Sequence, residues 1–149
     1  MAALMRSMRT WKERRNYKSR GAHIIPITLP YLQETHLSHG ITITSEMYSG
    51  NQQLFSNHFT ELNPETRITI GLGSSWTASE FLAAQKVRSY AMNHIEDLFQ
   101  NNVDVILSPA TPCCAPVLKD DVLSYGESNL SQTSALMRYI IHGNFTGIP

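Results

Sequence analysis

A long amphipathic pattern near the middle of the chain limits the folds that it can adopt. The residues Thr77-Ala78-Ser79-Glu80 match a capping box, in which a hydroxyl and a carboxylate accept hydrogen bonds from backbone amides at the start of a helix. Beyond them, apolar residues recur at spacings of three and four, namely Phe81, Ala84, Val87, Ala91, Ile95 and Leu98. We therefore predict a helix over residues 77–101 with one apolar face that another element must cover.

Two short apolar runs predict β-strands. Residues 22–29 are rich in isoleucine and lie between Gly21 and Pro30, although Pro26 is unfavourable in a central strand. Residues 103–107 form a second run, rich in β-branched side chains, that a Ser-Pro pair ends. Since consecutive elements joined by short connections usually pack together, we expect the apolar face of the predicted helix to pack on residues 103–107.

The remaining segments complete a mixed pattern of helices and strands. Residues 31–48 favour a helix, although β-branched residues near the middle weaken it. Turn residues and short apolar runs predict mostly loop over residues 50–75. A last helix is expected over about 132–142, with Gly143 as its end. This order is typical of an α/β fold with two or three strands and flanking helices, although two strands make a poor sheet for a self-sufficient domain.

The composition is that of a globular protein. Hydrophobic residues make up 42% of the chain and charged residues 16%, which argues against disorder and against fibrous structure. No apolar run approaches the roughly 18 residues of a membrane-spanning helix. Cys113 and Cys114 are adjacent, a spacing that rarely forms a structural disulfide and does not match a zinc site. A reducing, intracellular compartment fits best, and association with a membrane surface stays open.

The first twenty residues are strongly basic. They contain seven Lys and Arg residues against one acidic residue, Glu13, whereas the whole chain has 12 of each charge and no formal net charge. Three interpretations stay open: a surface helix whose acidic partners lie in chain that is not present, an arginine-rich transit peptide, and a patch for nucleic acid or anionic lipid. Neither aromatic interleaving nor a nucleic-acid motif accompanies the charge, so nucleic acid is not expected as a partner.

Two groups of side chains are candidates for chemistry from their residue types alone. His36 and His39 could share a metal ion on one face of a helix, but the sequence designates no further ligands, so no metal site is expected. Gly73-Ser74-Ser75 is similar to a glycine-serine nucleophile loop, yet Trp76 follows where close approach needs a small residue. We interpret Ser75 as a residue at a helix start. The residues alone therefore indicate no catalytic constellation.

Three segments are informative because of their order and spacing along the chain. Residues 77–88 read TASEFLAAQKVR, residues 104–112 read DVILSPATP, and LMR at 136–138 precedes NFTGIP at 144–149. These segments resemble the S/T-A-S-D/E-aromatic-x-A-A-Q-x-x-R, D-V-I-hydrophobic-S/T-P-x-T and L-M-R…N-x-x-G-hydrophobic-P segments of the amidase signature family. With an upstream IPITLP run, the resemblance covers residues 21–149 and is to the branch of plant-type fatty acid amide hydrolases.

The resemblance implies a large α/β domain with a mixed central sheet, of which this chain would be an incomplete piece. It also implies serine hydrolysis of amides, in which a Lys and a cis-configured Ser activate a second, nucleophilic Ser. Both serines of the family belong to a Gly-Gly-Ser-Ser-Gly-Gly-Ser-type segment that follows the Lys, and this sequence contains neither motif. We therefore expect no catalytic residue here, no cofactor, and no activity by the chain alone.

The resemblance also implies residues that contact the acyl chain of a substrate. These residues are Leu72, Gly73 and Trp76 before the predicted helix, and Thr133 and Met137 on the last helix. Plain packing in the core is the alternative role for the apolar ones. Since glycine occupies positions that are otherwise bulky, the shape of such a channel would differ from that of the plant branch.

The sequence thus predicts a fragment of an amidase-type serine hydrolase of fatty acid amides such as N-acylethanolamines. Residues 1–20 would be a basic segment outside the resemblance, and 21–149 a partial amidase domain truncated at both ends. Two alternatives stay open: a non-enzymatic interaction or regulatory fragment, and an unrelated small binding domain with a basic arm. Expected partners are the fatty acid amide substrate of the full-length family, further copies of this chain, and a membrane surface contacted peripherally. Because unpaired apolar strand edges promote intermolecular pairing, we also expect a marginally stable chain that associates.

Overall fold

The computed structural model describes residues 8–101, 103–126 and 129–148, and the regular structure in these ranges is helical. The α-helices are α1 (Met8–Ser19), α2 (Leu32–Asn57), α3 (Pro64–Ser75), α4 (Ala78–Gln100), α5 (Val122–Tyr125), α6 (Leu130–Leu136) and α7 (Ile141–Thr146), with a 3₁₀ turn at Phe59–Glu61. None of the described residues belongs to a β-strand. The expected α/β fold with two or three strands is therefore wrong for this chain.

The core forms where four helices meet. Helix α2 packs against α3 and α4, and the short helix α7 packs against both α2 and α4. The buried apolar side chains come from all four helices: Ile41, Ile70, Ala84, Ala91, Ile95, Ile141 and Phe145. Burying these side chains is the main driving force for holding the helices together.

Helix α4 confirms the predicted helix and its capping box. The Glu80 amide donates to the Thr77 hydroxyl at 3.2 Å, and the Thr77 amide donates to the Glu80 carboxylate at 2.8 Å. The hydrogen bonds that the Thr77 amide and, at 2.7 Å, the Thr77 hydroxyl donate to the Glu80 carboxylate lower the pKa of Glu80. The partner of the apolar stripe was predicted wrongly, however, because α4 packs on α2 and α7 and residues 103–107 form no strand. Ala84, Ala91 and Ile95 are buried in that helix contact.

The predicted strands at residues 22–29 and 103–107 have no regular structure. A strand needs a neighbour whose backbone groups pair with its own, and within the described ranges neither segment has one. Val105 is accordingly 78% exposed although its residue type favours burial. The short apolar runs thus indicated hydrophobic segments correctly, but not their pairing.

The N-terminal half contains more helix than the sequence patterns indicated. The helix predicted over 31–48 is confirmed as α2, which continues to Asn57 past a non-helical residue at Asn51. The loop predicted over 50–75 is wrong, because α3 occupies its second half. The sequence does carry a start signal for α3, since Asn63 precedes Pro64 at the first helical position and an acidic residue follows.

The last predicted helix is divided into α6 and α7. Asn129 caps α6 by accepting a hydrogen bond from the Gln132 amide at 3.0 Å. Gly143 lies inside α7 and does not end it. The end comes at Gly147, whose positive φ of 79° is a left-handed conformation that glycine adopts at little cost.

Among the described residues, none of the helices is long and apolar enough to cross a membrane. Several apolar side chains outside the core are nevertheless largely exposed, including Val117 at 93% and Leu123 at 90%. Exposed apolar surface of this kind favours association. The expected self-association of the chain and its peripheral membrane contact stay predictions.

The buried stripe of α4 yields a test of the helical core. We predict that Ile95→Ala lowers the free energy of unfolding by about 2–5 kcal/mol, because Ile95 is only 2% exposed and its removal leaves a cavity. Leu82→Ala on the same helix is the matched control, since Leu82 is 61% exposed and its loss should cost about 0.5 kcal/mol or less. Urea unfolding followed by circular dichroism measures both. Equal losses for the two variants would show that the assigned inner face of α4 is incorrect.

Candidate functional site

Two of the residues implied to contact an acyl chain, Gly73 and Trp76, meet α2 at Thr44. Trp76 follows the end of α3, is half-buried, and donates a hydrogen bond from Nε1 to the Thr44 hydroxyl oxygen at 2.9 Å. That hydroxyl in turn donates to the Gly40 carbonyl of its own helix at 2.8 Å. The indole is therefore held by its polar edge.

At Gly73 the backbones of α2 and α3 lie too close to leave room for a side chain. A Cβ atom at this position would overlap the Thr44 carbonyl oxygen and lie 2.7 Å from the Thr44 carbonyl carbon and 3.0 Å from Tyr48 Cβ. At Gly71 on the same helix, a Cβ atom would only touch the Phe55 ring at an ordinary 3.7 Å. The backbone of α2 thus fills the space that a side chain at Gly73 would need, and Leu72 beside it is half-buried.

The other two residues, Thr133 and Met137, belong to the α6 region, which meets α2 at a different point from Thr44. Thr133 is exposed on α6, and Met137 is half-buried directly after that helix. Their neighbour Ser134 contacts His36 near the start of α2, eight positions before Thr44. At 1.5 Å per residue these two contact points are about 12 Å apart. The structure thus divides the five residues into two groups, and their common role along one acyl channel stays a prediction.

The serines of the Gly73-Ser74-Ser75 segment behave as residues at the end of a helix. The Ser74 hydroxyl donates to the Gly71 carbonyl, and the Ser75 hydroxyl donates to the Leu72 carbonyl, each at 2.7 Å. Hydroxyls that bond back to the preceding turn are common at such positions. The interpretation of Ser75 as a helix-start residue needs one correction, because it is the last residue of α3 and the next helix starts after Thr77.

A first cleft, of about 230 Å³, opens between α2, α4 and α7. The Phe145 ring is at its base, with the His39 ring edge-on at 5.9 Å and the Arg88 guanidinium carbon 5.8 Å from the ring centre. Glu46 and Asn144 complete the polar wall. The Arg88 Nε atom is buried and has no hydrogen-bond partner in the described part of the chain.

A second cleft, of about 260 Å³, lies between the start of α2 and α6. Its walls include Gln33, His36, Ser131, Ser134 and Arg138. His36 Nε2 and Ser134 Oγ are 2.8 Å apart, which is a hydrogen bond between a serine and a histidine 98 positions apart in the sequence. Sequence reasoning missed this contact, because no local pattern links two residues that only the folding of α6 onto α2 brings together.

Three histidines, the buried His39 and His142 and the half-buried His36, have pKa values below the usual one. Burial lowers the pKa of His142, with a smaller contribution from His94. Burial also lowers the pKa of His39, assisted by His36 and opposed by Glu46. For His36 the causes are burial and then the charge of Arg138. Within the described ranges, no three His, Cys, Asp or Glu residues are grouped so that they could hold a metal ion.

Comparison with known proteins relates most of the chain to one kind of enzyme. No model of a protein family matches the chain. It is 31% identical to a fatty acid amide hydrolase of Medicago truncatula over 133 residues, which are 89% of this chain and 22% of that protein. It is 34% identical to a fatty acid amide hydrolase of Oryza sativa subsp. indica, over 87% of this chain and 21% of that protein. An amidase of Pseudomonas putida is 29% identical over 57% of this chain and 18% of its own length.

The chain therefore spans about a fifth of the length of the plant proteins that it matches.

The contact at Gly73 predicts opposite effects for two alanine substitutions in α3. Gly73→Ala should lower the free energy of unfolding by about 1–3 kcal/mol or more, because α2 and α3 must move apart. Gly71→Ala is the matched control and should be neutral or stabilising by up to about 1 kcal/mol, since alanine is the better helix former. Thermal and urea unfolding of both variants decide the question. A Gly73→Ala variant as stable as Gly71→Ala would contradict the close approach of these helices.

The lowered histidine pKa values predict a protein that is less stable in mild acid. The unfolded chain takes up protons near the ordinary histidine pKa of about 6.5, whereas the lowered pKa values mean that the folded protein takes them up only at lower pH. Their contribution to stability is therefore complete above about pH 6.5 and decreases as the pH falls below it. Urea unfolding at about pH 7.5 and about pH 5.5 should show lower stability at the lower pH.

The variant His142→Gln should reduce this difference, because it removes a ring that is only 6% exposed. His23→Gln, at an exposed position, should leave the pH dependence unchanged. The same loss of stability in mild acid for wild type and His142→Gln would rule out the buried ring of His142 as a cause.

Proposed function

This chain belongs to the amidase signature family, and from that premise we propose that it is part of a hydrolase that cleaves fatty acid amides and that it is inactive alone. The similarity to plant fatty acid amide hydrolases over 87–89% of the chain carries the proposal. The family segments at 77–88, 104–112 and 136–149 lie within the same stretch. Fatty acid amides as the substrate class follow from the names of these relatives, and N-acylethanolamines are the members of that class that the family resemblance implies.

In this proposal the helices serve to position apolar side chains along the acyl chain of the substrate. Trp76 is suited to that role, because Thr44 holds its polar edge while the ring is only half-buried. Leu72 lies on the preceding turn and is also half-buried. Thr133 and Met137 would contact a more distant part of the acyl chain, in keeping with their separate position along α2. Gly73 would act indirectly, by allowing α3 to approach α2.

The proposed lack of activity rests on the chemistry of amides. Cleavage of an amide requires an activated nucleophile, and the family uses two serines and a lysine for this purpose. The sequence has no Gly-Ser-rich segment of that type. Ser74 and Ser75 donate their hydroxyl protons to carbonyls of their own helix. Residues that this chain does not contain would have to perform the amidase reaction.

A role as an interaction or regulatory fragment is the second candidate. The exposed apolar side chains between residues 105 and 123 favour it, because soluble proteins seldom leave several such residues uncovered. In that case the chain would pair with a full-length relative and would change its activity without supplying catalytic residues.

We predict that the purified chain does not hydrolyse N-acylethanolamines above the rate of the uncatalysed reaction. The loss of a nucleophile and its activating base removes on the order of 10⁶-fold in rate. Release of free fatty acid, measured by mass spectrometry, tests this, with a plant fatty acid amide hydrolase as the positive control. Turnover that disappears in the Ser75→Ala variant would contradict the proposal.

A chimera tests the proposed substrate class separately. Residues 21–148 of this chain would replace the matching segment of the Arabidopsis thaliana relative, which is 33% identical to it. The chimera should hydrolyse long-chain N-acylethanolamines, and Trp76→Ala should raise KM for them by roughly tenfold through lost apolar contact. Leu82→Ala, at an exposed position on α4, is the matched control and should leave KM unchanged. A folded chimera in which Trp76→Ala has no effect on KM would remove Trp76 from the acyl site.

A further inference from the structure

The second cleft contains a serine and a histidine in the arrangement of a nucleophile and its base. We propose that Ser134 is a nucleophile activated by His36 and that it reacts with activated acyl esters and with fluorophosphonates. This reaction would be separate from the amidase chemistry of the family, and it does not depend on the function proposed above. Among the serines that the structure describes, Ser134 is the one whose hydroxyl lies within hydrogen-bond distance of a histidine, at 2.8 Å.

The distance between the two side chains is suited to proton transfer. A general base must lie within hydrogen-bond reach of the proton that it removes, about 2.6–3.2 Å between heavy atoms. Ser134 Oγ and His36 Nε2 satisfy this condition at 2.8 Å, and the serine hydroxyl donates when the ring proton is on Nδ1. Both residues are half-buried in the cleft between the start of α2 and α6, so a reagent can still reach the pair.

The surroundings keep His36 in the form that can accept a proton. Burial lowers the pKa of His36 and the charge of Arg138 lowers it further, so the neutral ring dominates at neutral pH. His39, the nearest other histidine along α2, also has a lowered pKa and therefore adds little positive charge. A neutral imidazole is the state in which histidine serves as a general base.

The same cleft offers room for the reagent and donors for the charge that develops on it. A volume of about 260 Å³ accommodates a small ester or phosphonyl group. Arg138 and Gln33 line the cleft and carry N–H groups that can stabilise negative charge on a carbonyl or phosphoryl oxygen. Ser131 lines the cleft as well, but its hydroxyl has no hydrogen bond to a histidine among the described contacts.

The proposed step balances without any further reactant. With a fluorophosphonate, Ser134 Oγ forms a bond to phosphorus, the phosphorus–fluorine bond breaks, and fluoride leaves. With p-nitrophenyl acetate, Oγ forms a bond to the acyl carbon, and p-nitrophenolate leaves. Water then attacks the acetyl group on Ser134, the Oγ–carbon bond breaks, and acetate leaves as the hydroxyl re-forms. In both cases His36 Nε2 takes the serine proton and passes it to water.

The pair should react with good leaving groups and not with amides. The main charge acting on His36 is the cation of Arg138, which disfavours the imidazolium formed when Ser134 attacks. In serine hydrolases a carboxylate stabilises that imidazolium, and without it activity decreases by orders of magnitude. The proposal therefore predicts covalent labelling and slow esterase activity, whereas amide hydrolysis by the chain alone stays absent.

The experiment labels the full-length chain with a fluorophosphonate and locates the modified residue by peptide mass spectrometry. We expect modification at Ser134, at a rate at least about tenfold above that at Ser131. Ser134→Ala should abolish this modification, and Ser131→Ala, the matched control in the same cleft, should leave its rate unchanged. His36→Gln should slow it by about 10²-fold, the contribution of a general base.

Rescue by a small base separates catalysis from structure. In His36→Ala, added imidazole should restore modification of Ser134, because the cavity left by the side chain can admit a free base. A merely structural role for His36 would give no such restoration. Modification spread evenly over several serines, or equal rates for wild type and Ser134→Ala, would overturn the proposal. The N-acylethanolamine assay tests the proposed function independently. Labelling of Ser134 without amide turnover supports both proposals. Amide turnover that survives Ser134→Ala contradicts the proposed inactivity of the chain but not the proposed role of Ser134.

Discussion

The close approach of α3 to α2 at Gly73 is the contact on which the rest of the helical core depends. Because no side chain lies between Gly73 and the Thr44 backbone, the end of α3 comes close enough for Trp76 to donate to the Thr44 hydroxyl. Thr77 follows at once and caps α4, so the direction of α4 is set relative to α2. Gln85, two turns into α4, then donates to the Thr42 hydroxyl at 2.8 Å. One missing Cβ atom thus allows three helices to pack together.

The inner face of α2 is unusually polar, which explains why polar clefts lie beside the core. The buried polar residues of this helix are Thr35, Ser38, His39, Thr42 and Thr44. Their hydroxyls need partners once they leave water, and Thr42 and Thr44 donate to the carbonyls of Ser38 and Gly40 one turn earlier, each at 2.8 Å. Helix α2 thus contributes His39 to the first cleft and His36 to the second, and the arginines of these clefts, Arg88 and Arg138, come from other segments.

The family relationship and the local chemistry of the chain concern different parts of the molecule. The amidase signature segment forms α4, whose inner residues are buried and therefore stabilise the core. The residues proposed for acyl contact lie at the end of α3 and around α6, where Leu72, Trp76 and Met137 are half-buried and Thr133 is exposed. The Ser134–His36 contact belongs to the second cleft and uses none of the signature residues. Membership of the family thus leaves open what the exposed chemistry of this chain does.

The sequence by itself determined those features that a few neighbouring residues decide. Thr77 and Glu80 satisfy each other's backbone amides, so the start of α4 could be predicted, and the family segments indicated the amidase signature family. Strands could not be decided in this way, because residues 103–107 form one only if another backbone lies beside them. The helical α3 was missed although its start signal is local, since its glycines suggested a loop. Only the tertiary structure decided that Ser134 meets His36, because that contact requires α6 to fold onto a helix 98 positions away, and no short-range rule encodes such a distance.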